Sequence, residues 1–127
     1  MMILCPHFLI DIMKNLVIIG AGGMGRTIFD VARESIGYGI EYTIKGFIDD
    51  NLSALDGFED YPPMLGTISH YLPEVDDVFT FSIGGESRRV CIEYLMERNA
   101  KFINIVHSTA RIGSNVRMGE GNVIGAF

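Results

Sequence analysis

Cysteine, histidine and basic charge are all scarce in this chain, and each shortage removes a class of function. The two cysteines, Cys5 and Cys91, stand in no metal-ligand spacing, so no metal site is expected. They suggest no disulfide either, and a reducing cytoplasm is the expected compartment. Ten Lys and Arg against sixteen Asp and Glu give a formal net charge of −6 and a pI near 4.9. There is no basic stripe, which argues against non-specific nucleic-acid binding. An anion would have to be held locally, by backbone amides and an arginine or two. Long apolar runs are missing too. Residues 1–12 are apolar but have no basic start, no small-residue cleavage site and too little length to span a bilayer. Of the three histidines, His7 and His70 carry no signal. His107 lies in a connector and reads as a hydrogen-bonded structural residue.

What is present is an ordinary globular interior, 48% hydrophobic and 20% charged, on a chain of 127 residues. That length supports one compact domain and a short appendage. The fifteen glycines cluster in three places, Gly20–Gly25, Gly84–Gly85 and the last stretch, which marks close backbone approaches. Residues 1–13 read as an N-terminal extension or arm, or as an extra edge strand or helix.

From Lys14 the pattern alternates. Leu16–Ile19 is a short, continuously apolar run, as expected of a strand buried on both faces. A helix is expected over Met24–Ser35, with Ile28, Phe29, Val31, Ala32 and Ile36 buried and Arg26, Asp30, Arg33 and Glu34 wet. Tyr42–Ile48 reads as the second strand, Asp77–Ile83 as the third and Phe102–Val106 as the fourth. A second long helix is expected over Ser87–Asn99, its inner face made by Val90, Cys91, Tyr94, Leu95 and Met96. A short helix is expected near Ile68–Leu72. Strands alternating with helices imply a parallel sheet with right-handed crossovers, here in the order 2-1-3-4. Its switch point lies between the first and third strands, where open α/β sheets bind ligands.

Gly20-Ala21-Gly22-Gly23-Met24-Gly25 fits G-x-G-x-x-G between a strand and a helix. In that context the glycines let the backbone approach a nucleotide phosphate, and the helix start offers free N–H groups to it. Close helix–strand packing alone would also use glycines there. Asp49 and Asp50 end the second strand, where an acidic side chain takes a ribose hydroxyl; Asp-Asp-Asn is equally a turn and capping cluster. Gly84 and Gly85 form the facing turn. Arg88, just after it, reads either as an anion ligand or as part of a solvated helix face.

The end of the chain has a different period. Ile112-Gly113, Met118-Gly119 and Ile124-Gly125 recur at a step of six, and Ala110, Val116 and Asn122 keep the same step. Such a hexad is the repeat of a parallel β-helix. About one coil is present, and one coil cannot bury its own top face. The expected fold is therefore α/β: a small Rossmann-like domain over residues 14–106, then the first coil of a left-handed parallel β-helix over 107–127.

The ordered set of Gly20–Gly25, Gly46-Phe47-Ile48-Asp49-Asp50-Asn51, Ile83-Gly84-Gly85 with Arg88, and Phe102–Ala110 running into hexads resembles the NeuD/PglD-type sugar acyltransferases. The resemblance covers about Lys14 to Phe127. It implies an α/β domain that binds a sugar nucleotide and a β-helix that takes acetyl-CoA as co-substrate between the subunits of a homotrimer. Carried onto this chain, Gly22, Gly23, Met24 and Gly25 would meet the phosphates or sugar, Asp49 and Asp50 the nucleoside, and Gly84, Gly85 and Arg88 the opposite wall. Some members have histidine where this chain has Met24. The family's catalytic histidine lies in later coils, so catalytic residues stay unknown, and the chain is expected to bind the nucleotide without catalysing transfer or binding acetyl-CoA. Two other readings stay open: an NAD-dependent oxidoreductase domain with Asp49 on the adenosine ribose, and a ligand-binding or assembly module without chemistry.

Overall fold

The computed structural model of the chain describes residues 13–114 and 116–125, so the arm expected at 1–13 lies almost wholly outside the described residues. Four strands, β1 (Lys14–Ile19), β2 (Tyr42–Ile48), β3 (Met64–Gly66) and β4 (Asp77–Phe81), form one parallel sheet in the order β3-β2-β1-β4. Helix α1 (Gly23–Arg33) follows β1, and α2 (Gly85–Glu97) follows β4.

The period-two geometry of a strand explains the unbroken apolar run of β1, because its alternate residues enter two different cores. Leu16 and Ile18 join Ile28, Phe29 and Ala32 of α1, whereas Val17 and Ile19 join Cys91 and Leu95 of α2. All four β1 side chains are fully buried, and each contributes about 1.5–3 kcal/mol of transfer free energy.

The expected strand order holds for the strands anticipated, with two differences. The short edge strand β3 extends the sheet beyond β2; Pro62-Pro63 precedes it and masks it in the sequence. The expected fourth strand is reduced to a single bridge between Phe79 and Phe102, with Phe79 N–H donating to Lys101 O (2.9 Å) and Ile103 N–H to Phe79 O (3.2 Å). The chain then leaves the sheet. Ile105–Val106 (β5) instead pairs in parallel with Val123–Ile124 (β6). The register sets Ile105 against Val123, an offset of 123 − 105 = 18 residues, or three hexads. Asn104 and Asn122 are bonded at the same offset, with Asn122 N–H donating to Asn104 Oδ1 at 2.8 Å.

Smaller departures have local causes. Ile68–His70 is a turn rather than a helix; Pro73 disfavours helical geometry at Leu72. Helix α1 stops at Arg33, which leaves Ile36 exposed with its N–H donating to Val106 O. In α2, Val90, Tyr94 and Met96 are exposed, contrary to expectation, and the buried residues are Cys91 and Leu95.

At the amino edge of the sheet, Asp77 is completely buried. Its carboxylate accepts hydrogen bonds from Lys45 Nζ (3.0 and 3.2 Å), the Glu74 N–H (2.9 Å) and the Tyr71 hydroxyl. Lys45 also pairs with Glu74 at 2.8 Å. Partial burial opposes the Lys45 charge, yet its hydrogen bonds to Glu74, Tyr71 and Asp77 hold its pKa above the usual lysine range. Burial, then the bond to Asp77, pushes the Tyr71 phenol up to about 12. His107 is buried and linked at both ring nitrogens: Nε2 lies 2.8 Å from Glu34 Oε1, and Nδ1 accepts the Thr109 N–H at 3.0 Å. This fits the structural part read from its place in the connector.

Candidate functional site

Both glycine turns lie at the carboxyl edge of the sheet, at the ends of adjacent strands. Ser82 ties them together: its N–H donates to Ile19 O (2.9 Å), and its hydroxyl reaches Ile19 O (2.8 Å) and Gly20 O (3.1 Å).

The glycines fall into two kinds. Gly20 has φ +100° and a Cβ there would collide with Ser82 Oγ; one on Gly25 would collide with the Gly20 carbonyl oxygen. These two serve close packing. A Cβ on Gly22, Gly84 or Gly85 would meet nothing within 4 Å, and one on Gly23 only Arg26 Nη2 at 3.9 Å. Packing therefore does not account for those four; Gly85 is called for by its left-handed backbone (φ +66°), and Gly22, Gly23 and Gly84 leave open backbone that a ligand can approach. Both helices begin there: Gly22 is the N-cap of α1 and Gly84 that of α2, and neither start is capped by a side chain. The opening N–H groups of a helix lie at the positive end of its dipole, a setting that favours an anion; α1 has no acidic residue in its first turn, whereas α2 has Glu86 there. Met24 is exposed in the first turn of α1.

Asp49 and Asp50 hold the walls of this crevice. Asp49 Oδ2 accepts the Ala21 N–H and Oδ1 the Asn51 N–H, both at 2.8 Å. Asp50 Oδ1 accepts the Ile68 N–H at 3.0 Å. Beyond Asp50 opens a cavity of about 290 Å³ lined by Asp50, Ile68, Ser69, Ser87, Cys91 and Tyr94 among others. Burial, then the charges of Asp50 and Asp49, pushes the Cys91 thiol up, so it is an inert wall residue rather than a nucleophile. Arg88 lies on another flank of α2. Its guanidinium is 5.2 Å from the Phe81 ring centre and borders a cavity of about 200 Å³ with Phe102 and Glu120.

The structure adds two arginines that pattern alone did not single out. Arg26 donates to Ala21 O (3.2 Å) and lies over the Phe58 ring at 3.8 Å, which sets a cation beside Gly23. Its place directly after Gly25 was the available signal, but its amphipathic position read as solvent. Arg98 donates to Ser69 O at 2.6 Å and reaches the cavity wall from the end of α2; no local pattern announces this. Among the described residues, no group of three or more His, Cys, Asp or Glu is placed to hold a metal ion, and no helix is long and apolar enough to cross a membrane.

A four-stranded parallel sheet flanked by two helices, with two glycine turns converging at its carboxyl edge, defines the class: an open α/β domain. Within that class the profile of the PglD N-terminal domain family matches residues 15–95, and the chain belongs to that family. It is 30% identical over 117 residues to UDP-N-acetylbacillosamine N-acetyltransferase of Bacillus subtilis (strain 168), a match covering 88% of this chain and 51% of the relative. The acetyltransferase domain of PglB from Neisseria gonorrhoeae FA1090, solved in complex with acetyl coenzyme A, superposes with a TM-score of 0.69 at 27% identity, over 90% of this chain and 54% of that one. The chain thus spans about half the length of each.

Proposed function

We propose that this chain is the sugar-nucleotide-binding part of an acetyl-CoA-dependent sugar O- or N-acetyltransferase. The observation that carries the reading is the set of four glycines, Gly22, Gly23, Gly84 and Gly85, whose open backbone surrounds two uncapped helix starts in a PglD N-terminal domain. The phosphates lie over the N–H groups of Gly22, Gly23, Met24 and Gly25, with Arg26 beside them. The nucleoside lies toward Asp50 and its cavity, and Gly84 and Gly85 face it from the start of α2, while Arg88 borders the separate cavity beside Phe81. Residues 14–106 form the binding domain, and 107–127 begin the hexapeptide β-helix. In the longer protein that β-helix takes acetyl-CoA, supplies the general base for attack of the acceptor on the thioester, and joins a trimer in the cytoplasm. The reading is supported by the 18-residue offset of β5 and β6 and by the acetyltransferases among the relatives.

The engagement of both Asp49 oxygens by backbone N–H groups favours this reading over an NAD domain with Asp49 on the adenosine ribose. Thermal shift of the 127-residue chain with UDP, UDP-N-acetylglucosamine and NAD tests it. A ligand at a hundred times its Kd adds about 2.7 kcal/mol of stability, so a true ligand moves the melting temperature by several degrees. Stabilisation by the uridine nucleotides and none by NAD is expected; stabilisation by NAD alone overturns the proposal.

A further inference from the structure

The wall of the Asp50 cavity is a short turn, Thr67–His70, that puts one side chain, Ile68, into the core and is otherwise held by polar groups from two other elements. Asp50 Oδ1, at the end of β2, accepts the Ile68 N–H at 3.0 Å. From the other side, Arg98 Nη2 donates to Ser69 O at 2.6 Å and Nη1 points at Ile68 O at 3.5 Å. One guanidinium thus spans two consecutive carbonyls, which its planar fork allows and an ammonium does not. Its base is rigid. Arg98 is the C-cap of α2, Asn99 follows in the left-handed conformation (φ 63°), and the Ala100 N–H returns to Leu95 O at 2.9 Å while the Asn99 N–H returns to Met96 O at 3.0 Å. That is the bonding of a Schellman stop, with Ala100 buried in the same core as Leu95. The guanidinium also lies 5.6 Å from the ring centre of Tyr94, which lines the same cavity.

We infer that Arg98 is a positioning residue: it clamps the Ile68–Ser69 wall of the crevice and so sets the shape and access of the cavity beyond Asp50. Both of its hydrogen bonds are only partly buried, so water can take its place, and its loss loosens the wall far more than it unfolds the domain. For its effect on nucleotide affinity, though not for the clamp itself, the inference rests on the function proposed above.

Cys91 supplies a reporter that needs no ligand, since it is buried and shares a core with Ile68 of that wall. The test is the rate at which iodoacetamide alkylates Cys91, followed by mass spectrometry of its peptide, in the full chain and in Arg98→Met and Arg98→Lys. Losing a charge-assisted hydrogen bond from a locally opening segment raises that rate about tenfold in Arg98→Met. Arg98→Lys, which keeps one carbonyl contact, falls between. Melting temperatures should change by no more than a few degrees. An unchanged alkylation rate overturns the clamp, and so does a rise no larger than the loss of global stability itself produces. A parallel titration with UDP separates the two claims. If the wild-type chain binds UDP and Arg98→Met binds it severalfold more weakly, both stand; if the two bind equally, the positioning role falls. If the wild type ignores UDP while the alkylation rates differ, the ligand reading falls and the clamp remains.

Discussion

The two edges of the same sheet handle charge in opposite ways. At the amino edge, every polar group around Asp77 has a partner: Lys45, Tyr71 and the Glu74 N–H converge on one carboxylate that solvent does not reach. At the carboxyl edge, two helices start without side-chain caps, four glycines expose backbone, and Asp49 and Asp50 are used to hold loops, while Glu86 stands in the first turn of α2. One edge is closed and contributes stability; the other leaves the first N–H groups of its two helices without a side-chain cap. Unused hydrogen-bonding capacity, more than residue type, distinguishes a binding edge from a structural one.

The largest expected effect lies at the closed edge. Replacing Asp77 by Ala strips the Tyr71 hydroxyl and the Glu74 N–H of their acceptor and leaves Lys45 only the exposed Glu74 as an ion partner, and removing the buried partner of an ion pair costs about 3–5 kcal/mol. A fall of more than ten degrees in melting temperature is expected, on the order of 10–20 °C for a domain of this size. Below the new midpoint the response to uridine nucleotides should persist. A variant that melts within a few degrees of wild type would mean that the cluster is a solvated surface network like the exposed pairs of Arg33 with Asp30 and Arg89 with Glu86.

Glycine substitutions sharpen the comparison within the open edge itself. In Gly25→Ala the new methyl meets the Gly20 carbonyl, a fixed backbone atom, and the forced shift costs about 1–3 kcal/mol. In Gly23→Ala the methyl enters open space in the first turn of α1, where alanine is the better helix former by up to about 1 kcal/mol. Gly25→Ala is therefore expected to melt lower. Gly23→Ala should melt at the wild-type temperature or slightly above it, yet, on the function proposed above, bind uridine nucleotides at least severalfold more weakly, because its methyl would occupy the space of a phosphate. Thermal melts and UDP titrations of the pair read both effects. Equal stability losses in the two variants would remove the distinction between packing glycines and ligand glycines.

That distinction marks the limit of what was legible in the sequence. Strands β1, β2 and β4 and both helices follow from apolar runs and glycine stops, because their burial is dictated by local period. The three residues of β3 are too few for any period, and the Pro62-Pro63 pair ahead of them reads as a plain extended segment. The inner face of α2 was misread at Val90, Tyr94 and Met96 because this helix is flanked by cavities instead of being covered, and a wheel cannot show what is missing above it. At the site, the G-x-G-x-x-G spacing located the turn but could not separate Gly20 and Gly25 from Gly22 and Gly23; only the atoms opposite them do. Asp49, Asp50 and Arg98 bond to backbone 28, 18 and 29 residues away, and no local pattern encodes such a distance.

The smallest expected effect sits between the two edges. β4 begins with Asp77, fully satisfied, and is followed by Ser82, whose hydroxyl bonds the end of β1. Midway, Thr80 is fully buried and its hydroxyl has no partner among the described residues. It neither closes a network nor faces a ligand, since its register partner is Ile18 in the middle of β1. An unpaired hydroxyl in an apolar core carries a desolvation cost of about 1–3 kcal/mol, and valine has nearly its shape. Thr80→Val is therefore expected to stabilise the domain by about 1 kcal/mol and to raise the melting temperature by a few degrees, without changing UDP affinity. A lower melting temperature would show that the hydroxyl is satisfied after all, by a bound water in the sheet interior. The contrast drawn above would then need a third category, polar groups satisfied by solvent trapped inside.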